Sequence, residues 1–363
     1  MSPKQKIPLS QLTPGDIANR LGISEVDLWA RARSVDACFK PTVRRMFRGK
    51  VRDLDRPDGG HKIWMRKLHR FLQSNYRPHR AVHGGCKRRS CFTAAHLHKG
   101  GKAVLLIRDI ANCYPSIHTA QLIDGLARYG FRAETAELIG LLMTPRGRVA
   151  QGSPLSADAL NYYLYPLDEV LYAACRENGF RYTRTYDDIV VSGDNHAIGI
   201  ALGRMIEREI GRLGLTVNEK KKLKNGRQTN RKEQRVHNLV VNSRLGIALP
   251  DEHAKEALRE AMAYANGAVS ARPDSLVGLA CRRQVAGGHL NYCRQADFAP
   301  VTVVKKLIGQ GDQTVRDRLK KEGVTKRKKW WKPGRKDAVI KELADRWRTV
   351  RSRTLRPDAT TAI

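Results

Sequence analysis

Three familiar features are absent from this sequence. Its seven cysteines are an odd number and include no CxxC pair, so no disulfide framework is implied. No apolar run reaches the roughly 18 residues of a membrane span. The N-terminal stretch MSPKQKIPLSQL also has no apolar core of signal-peptide length. We therefore expect a protein of a reducing cytoplasm that has no membrane partner.

Two kinds of ligand site also lack their sequence signatures. GxGxxG is absent, and GKAVLL has no Ser or Thr after Lys102, which argues against dinucleotide-binding and P-loop sites. Cys86, Cys91, His96 and His98 are spaced irregularly for structural zinc. A zinc site there is an alternative that the spacing disfavours.

Acidic residues are few compared with basic ones. The chain has 363 residues, with 35 Asp and Glu against 68 Lys and Arg, giving a formal net charge of +33. The excess positive charges repel one another unless a polyanion neutralises them. Their contacts with phosphates favour binding because they release the counterions of the nucleic acid. We expect a nucleic-acid partner; a solvated basic surface is the alternative. Hydrophobic residues make up 41%, enough for a core in two or three sub-domains.

Residues 10 to 35 predict two short helices. Thr13 and Ser24 are suitable N-caps, and Gly22 is suited to the turn between them. The segment is similar to a helix-turn-helix. The same apolar pattern suits two helices packed at a domain edge, which is the interpretation we favour over DNA reading.

The remaining pattern indicates a mixed α/β order. From 40 to 99 the chain is basic and irregular except for a helix around Leu68. KAVLLIRDI predicts a strand, AQLIDGLARYG and AETAELIGLLM predict helices, and Leu155 to Cys175 predicts one longer helix. YTRTYDDIVVSGD predicts two strands around a tight turn, and 197 to 213 a helix. After about residue 245 the pattern is helical again, through EHAKEALREAMAYAN and LVGLACRRQVAGGHLNYCRQ.

A basic cluster with two tryptophans lies near the C-terminus. Basic residues interleaved with aromatics suit phosphate contact and base stacking, whereas tryptophans that anchor a surface helix pair are the alternative. The residues predicted to bind nucleic acid here are Arg327, Lys328, Lys329, Trp330 and Trp331.

Three aspartates are the candidate catalytic residues. Asp109 ends the predicted strand, and Asp187 and Asp188 lie in the turn of the predicted hairpin. Nucleotidyl transfer places negative charge on the attacking and leaving oxygens, and two divalent ions held by carboxylates can stabilise both. Because neighbouring strand residues face opposite sides, we expect Asp187 to be the principal partner of Asp109 and Asp188 to support it.

The motifs around these aspartates resemble those of reverse transcriptases. IANCYPSI follows Asp109, QGSPLSADALNYY comes next, and the Asp-Asp hairpin follows in the family's order, over roughly residues 45 to 295. RAVHGGCKRRSCFTAAHLHKGG, with its step from Ala95 to His98, and LVVN at 239 to 242 are similar to bacterial retron and defence-associated enzymes.

This resemblance implies a right-hand polymerase. N-terminal helices and fingers would occupy 1–108, the palm 109–245, and a helical thumb with a basic extension 246–363. It implies two Mg²⁺ ions, with Mn²⁺ as a substitute. The residues that it carries over to the metal site are Asp109, Ile110, Asp187 and Asp188.

The resemblance also assigns a nucleotide site. Tyr114 would be a steric gate against a 2′-hydroxyl, with a packed core tyrosine as the alternative. Lys50 and Arg52 would hold the triphosphate, unless they are ordinary surface charges. Lys221 would protonate pyrophosphate, although Lys220 and Lys222 adjoin it. The full nucleotide set is Lys50, Arg52, Tyr114, Gln151, Gly152 and Lys221.

The chain departs from the family near the expected primer and template. Tyr186 directly precedes the aspartate pair, where the family has a small residue. Ala157 replaces a proline that often follows the serine of the QGxPxS loop. Val236, His237 and Asn238 replace Val-Thr-Gly. We place Tyr186, His237 and Asn238 in the vicinity of primer and template.

The resemblance implies RNA-directed DNA synthesis from dNTPs on a dedicated non-coding RNA, with a DNA product, in bacterial antiphage defence. A defence effector protein and self-association are further partners that it leaves open. Two other functions fit the same residues. One is template-independent or protein-primed DNA synthesis, which Tyr186 motivates, and the other is a catalytically idle RNA-binding scaffold.

Overall fold

The structure is a computed structural model that describes residues 7–47, 50–75, 78–243, 246–270, 286 and 301–321. The chain divides into two compact units. The first comprises Met1–His237 and Val241–Arg244, and the second comprises Asn238–Val240 and Leu245–Ile363. The boundaries that we expected between fingers, palm and thumb stay predictions.

The first unit contains most of the described helices and strands. Its helices are α1 (Pro14–Leu21), α2 (Glu25–Arg33), α3 (Gly59–Asn75), α4 (Cys91–Leu97), α5 (Thr119–Tyr129), α6 (Ala133–Met143), α7 (Ser156–Tyr163), α8 (Tyr165–Glu177), α9 (His196–Arg212) and α10 (Glu219–Asn225). Its strands are β1 (Phe39–Phe47), β2 (Lys50–Pro57), β3 (Val104–Asp109), β4 (Arg181–Thr185), β5 (Asp188–Gly193), β6 (Arg227–Gln228) and β7 (Arg235–Val236). The mixed α/β class is confirmed.

The two N-terminal helices are confirmed. Thr13 caps α1 by accepting a hydrogen bond from the Asp16 backbone, and Ser24 caps α2 through Asp27 in the same way. Gly22 ends α1 with a left-handed φ of 74°, a conformation that costs glycine little. Ile17 and Leu28 are fully buried in the core, which supports the packing role of these helices.

A four-stranded sheet in the order β4-β5-β3-β6 positions the three aspartates. Neighbouring strands are antiparallel, and β3 lies next to β5 along its whole length, from Val104 opposite Gly193 to Asp109 opposite Asp188. α8 packs against β4 and α9 against β3. Because β3 and β5 are almost fully buried, the ends of these strands have fixed positions.

Two predictions about local structure were wrong. The single helix from Leu155 to Cys175 is two helices, α7 and α8, with a break at Leu164. Pro166 accounts for a new start because it has no backbone N–H and suits the first turn of a helix. The stretch called irregular contains the β1–β2 hairpin. Its many charged residues, such as Arg44 paired with Asp53, hide the alternation that marks a strand.

The second unit contains β9 (Gly246–Ala248), α11 (Asp251–Ser270) and α12 (Val301–Lys321), and β8 (Leu239–Ser243) includes residues of both units. α11 packs against α12, and the Tyr264 hydroxyl donates to Asp312 Oδ1 at 2.7 Å. Most of the predicted helical stretch LVGLACRRQVAGGHLNYCRQ and the whole basic cluster from Arg327 to Trp331 lie outside the described residues. None of the helices in the described segments is both long enough and apolar enough to cross a membrane.

Candidate active site

The antiparallel pairing of β3 and β5 brings the three aspartates together. Asp109 is the last residue of β3 and is paired with Asp188, the first residue of β5. The Ile110 N–H donates to the Asp187 carbonyl at 3.0 Å, which fixes the turn beside β3. One oxygen of each carboxylate lies within 4.8 Å of the others. Since Asp187 lies in the turn and not in a strand, strand alternation does not separate its role from that of Asp188.

A buried ion pair holds the turn that carries Asp187. The Arg184 guanidinium donates to both Asp168 oxygens, at 2.8 and 2.7 Å, and both side chains are fully buried. The same guanidinium donates to the Tyr186 carbonyl at 2.8 Å. Tyr182 adds a hydrogen bond from its hydroxyl to Asp168 at 2.7 Å. This anchor was not anticipated, and the Arg that precedes the Asp-Asp pair by three residues was its only signal.

Gly84 packs directly against the same turn. A Cβ at this position would collide with the Tyr186 backbone nitrogen, so the chain needs glycine there. Two backbone hydrogen bonds join the segment before Gly84 to β4. The His83 N–H donates to the Arg184 carbonyl at 2.7 Å, and the Arg184 N–H donates to the Ala81 carbonyl at 2.9 Å. His83 and Gly84, which belong to the stretch that is similar to retron enzymes, therefore support the Asp187 turn.

Lys221 and Asn218 contact the carboxylates directly. Asn218 caps α10 and donates from Nδ2 to Asp109 Oδ1 at 2.8 Å. The Lys221 ammonium donates to Asp109 Oδ2 and lies 3.4 Å from Asp188 Oδ1. Lys222 instead contacts Glu207 at 2.9 Å and Glu219 at 3.3 Å. Of the three consecutive lysines, Lys221 is thus the one placed among the aspartates.

Burial and neighbouring charges shift the pKa values of Asp188 and Lys221. Burial raises the pKa of Asp188 to about 7; the charge of Lys221 opposes this rise, and those of Asp187 and Asp109 add to it. Burial lowers the pKa of Lys221, but Asp188 and Asp109 outweigh burial and hold that pKa above its usual value. The Lys221 ammonium thus lies between Asp109 and Asp188, and protonation of Asp188 relieves part of the repulsion among the carboxylates.

This donor set fits a divalent metal. All three side chains offer carboxylate oxygens, the ligands that hard cations prefer. A bound cation would add its positive charge to that of Lys221. The three aspartates expected to bind metal therefore lie together, and Ile110 lies against them through its backbone with a buried side chain; metal binding by these four residues stays a prediction.

Tyr114 lies near the carboxylates. Its side chain is half-buried against the core. Burial raises the pKa of its hydroxyl, and the charge of Asp187 adds to the rise, so the phenol stays neutral. The role of Tyr114 as a steric gate stays a prediction.

The glutamine-glycine loop docks on β2. The Gln151 carbonyl accepts from Asp55 N–H at 2.9 Å, and the Gln151 N–H donates to Asp55 Oδ2 at 3.3 Å. Gly152 has φ of 115°, and a Cβ there would lie 3.1 Å from the Asp55 carbonyl. Lys50 and Arg52 belong to the same strand, but their side chains are outside the described part of the structure.

His237 lies beside Asp188 and was placed near the primer by family likeness. Its Nδ1 is 3.8 Å from Asp188 Oδ2, and its side chain is 8% exposed. Burial lowers the pKa of His237 to about 4, so the ring is neutral near pH 7. Asn238 belongs to the second unit, where its side chain contacts His253 Nδ1 at 2.9 Å.

His98 has a structural environment. Its Nδ1 pairs with Ser192 Oγ at 2.7 Å and its Nε2 with Thr183 Oγ1 at 2.8 Å. Burial lowers the pKa of His98 to about 3, so the imidazole is neutral. With both nitrogens engaged between β4 and β5, His98 has none left for the zinc alternative.

Three retron reverse transcriptases are similar to this chain. The Mx65 enzyme of Myxococcus xanthus is 28% identical over 218 residues, or 55% of this chain and 50% of that protein. The Mx162 enzyme of the same organism is 33% identical over 133 residues, an alignment that covers 31% of this chain and 27% of that protein. The Se72 enzyme of Salmonella heidelberg (strain 579083-10) is 27% identical over 210 residues, an alignment that covers 55% of this chain and 54% of that protein. These relatives confirm the resemblance to bacterial retron reverse transcriptases.

The chain spans about half, or less, of the length of these curated relatives. A solved structure of telomerase from Candida albicans in complex with a TWJ fragment of telomeric RNA aligns with a TM-score of 0.43 and 10% identity. That alignment covers 86% of this chain and 67% of the telomerase. No family model matches the sequence.

Proposed function

We propose that this chain is an RNA-directed DNA polymerase of retron type. The observation that carries the proposal is the convergence of Asp109, Asp187 and Asp188 within 4.8 Å at the end of an antiparallel pair of buried strands. This is the donor set that nucleotidyl transfer needs. The similarity to retron reverse transcriptases supports the choice of reaction among those that metal-bound carboxylates can serve.

In this proposal Asp109, Asp187 and Asp188 hold two Mg²⁺ ions, for which Mn²⁺ can substitute. The bound ions would stabilise negative charge on the attacking 3′-oxygen and on the leaving pyrophosphate. Lys221, already among the carboxylates, donates a proton to pyrophosphate. Tyr114 packs beneath the sugar and excludes a 2′-hydroxyl. The Gln151–Gly152 loop, fixed on β2, lines the nucleotide site together with Lys50 and Arg52.

The substrates in this proposal are dNTPs and an RNA template, and the product is DNA. We propose a dedicated non-coding RNA as the template, bound by the thumb and by the basic cluster from Arg327 to Trp331. The net charge of +33 supports such a partner. A role in bacterial antiphage defence, in the cytoplasm and with an effector protein, is the setting that the retron likeness suggests.

Primer extension with one aspartate variant and a matched control tests the proposal. Asp109→Asn should lower the rate of dTTP incorporation on poly(A) with an oligo(dT) primer and Mg²⁺ by at least about 100-fold. Asp194→Asn is the control, because this residue is exposed and pairs with Lys102 at the opposite end of the β3–β5 pair. An Asp109→Asn enzyme as active as the control would contradict the proposal.

Tyr186 favours a second candidate, template-independent or protein-primed synthesis. This residue is 40% exposed directly before the two aspartates, with a left-handed φ of 58°. Synthesis from a single dNTP without RNA, lost in Tyr186→Phe, would favour this candidate. Extension that requires an RNA template and is kept by Tyr186→Phe would favour the first. Binding of nucleic acid without DNA synthesis in the presence of any metal would favour the third function, a catalytically idle RNA-binding scaffold.

A further inference from the structure

A groove rich in arginine and tyrosine lies away from the carboxylates. Two adjoining cavities, of about 610 and 480 Å³, share Arg80, Tyr172 and Arg176. We call their joint surface the arginine groove and define it by Arg80, Arg89, Tyr165, Tyr172, Arg176 and Arg181. None of these residues belongs to the site proposed for catalysis.

The arginine groove is separated from the aspartates by the length of β4. Arg181 is the first residue of β4 and pairs with Ser192, whereas Thr185 at its other end pairs with Asp188. Four residues of strand span about 13 Å at the usual rise of roughly 3.3 Å per residue. A ligand in the groove therefore lies outside the site of nucleotide transfer.

The charge of the groove suits a polyanion. Its four arginines face one acidic lining residue, Glu169, whose Oε1 is 3.5 Å from His79 Nε2. Burial lowers the pKa of His79, so this ring adds no lasting charge near pH 7. Arg176 and Arg181 are exposed, and the guanidinium of neither has a hydrogen-bond or ion-pair partner among the described residues. Both guanidiniums are available for phosphate.

The rest of the groove is held in place before any ligand arrives. Arg89 Nη1 donates to the carbonyls of His79 at 2.8 Å and Val82 at 2.7 Å, which fixes the loop before α4. The Arg80 guanidinium lies 5.6 Å from the centre of the Tyr172 ring and donates to its hydroxyl at 3.4 Å. Preorganised side chains lose little entropy on binding.

We propose that the arginine groove binds a single-stranded segment of RNA. Guanidiniums recognise phosphates. Tyr165 and Tyr172 are half-buried and line the cavities, where unpaired bases would stack on their rings beside the Arg80 guanidinium that already lies over Tyr172. Bases within a duplex already stack on their neighbours, so a single strand fits better.

The choice of RNA over DNA rests on the proposed function. DNA made at the carboxylates is paired with its template there, whereas a dedicated RNA also has segments that are not being copied. Such a segment would be held by a surface outside the site of synthesis. The groove at the far end of β4 is such a surface.

Fluorescence anisotropy of labelled oligouridylate with the full-length chain tests the groove. For Arg176→Ala plus Arg181→Ala, loss of two phosphate contacts should make the slope of log affinity against log salt less steep by about 1.4. Tyr172→Ala should weaken binding by about fivefold or more through lost stacking, while Tyr172→Phe keeps it. Arg20→Ala plus Arg204→Ala is the control, since these exposed arginines lie on α1 and α9 and not in the groove.

The outcomes separate this inference from the proposed function. Reduced RNA affinity in the groove variants, with unchanged extension of an oligo(dT) primer on poly(A), supports the groove. If the groove variants bind RNA with the same affinity and the same salt slope as the control pair, the inference is overturned, and an acidic protein becomes the expected partner of the groove. Competition by oligothymidylate as strong as that by oligouridylate would overturn the RNA assignment. If the wild-type chain extends no primer, the proposed function fails, and the binding comparison still decides the groove.

Discussion

Among single residues, Lys221 has the most specific environment. It contacts Asp109 and lies 3.4 Å from Asp188, while Lys220 one position earlier is exposed. If Lys221 protonates pyrophosphate, Lys221→Ala should lower the rate of single-nucleotide addition by about 100-fold, the scale of general acid catalysis. Lys220→Ala should leave that rate unchanged. Rapid-quench kinetics measures both, and equal losses in the two variants would assign the effect to general charge.

The raised pKa of Asp188 predicts a pH-dependent stability of the metal-free protein. Because its folded pKa is about 7, above the usual carboxyl value, the protonated form stabilises the fold. That contribution is present below about pH 4 and is lost as the pH rises through about 7. In urea unfolding with a chelator, the stability of the wild type relative to Asp188→Asn should therefore fall between these pH values.

Two observations would check the cause of this pH effect. Asp194→Asn should behave oppositely, since the hydrogen bond from Lys102 lowers the pKa of Asp194 and its charge stabilises the fold above about pH 4. Adding Mg²⁺ should reverse the loss for the wild type at neutral pH, because metal binding requires ionised carboxylates. A pH-independent difference between wild type and Asp188→Asn would contradict the assignment.

The sequence predicted the candidate metal ligands better than their supports. Asp109 and the Asp187–Asp188 pair lie at strand ends that apolar runs identify, and family order links them. The choice among three adjacent lysines depended on the α10 cap at Asn218, which turns Lys221 toward the carboxylates. Asp168 and Arg184 are 16 residues apart in the sequence, on different elements. No periodicity in the sequence indicates that they form a buried ion pair between α8 and β4.

At the scale of elements, the Asp168–Arg184 pair anchors the turn that carries Asp187 to α8. Removing one member leaves a buried charge without its partner, so Asp168→Leu should cost about 3–5 kcal/mol of unfolding free energy. Asp168→Leu plus Arg184→Met should cost clearly less, since no unpaired charge remains. Urea unfolding measures both, with Asp194→Ala in the exposed pair with Lys102 as a control that should cost at most about 1 kcal/mol. A double variant as unstable as the single one would contradict this account.

Elements with local signals were predictable and those governed by cross-strand contacts were not. Side-chain caps at Thr13 and Ser24 fix α1 and α2 within a few residues, so the sequence alone located both. The β1–β2 hairpin depends on pairing between two charged strands, and the sequence of these strands has no apolar alternation that would predict it. The break at Leu164 was missed because apolar spacing continues through it, although Pro166 was the available signal.

For the whole molecule, charge of one sign predicts how stability responds to the solvent. A net charge of +33 spread over 363 residues repels itself, and salt screens that repulsion as the Debye length falls from roughly 30 to 10 Å between about 0.01 and 0.1 M. The Tm of nucleic-acid-free protein should therefore rise over this range. Dextran sulfate should raise it further by binding the folded state, whereas neutral dextran of equal length should not. Differential scanning calorimetry decides, and a Tm that is constant or falls with salt would mean that paired charges, not net charge, control the stability of this chain.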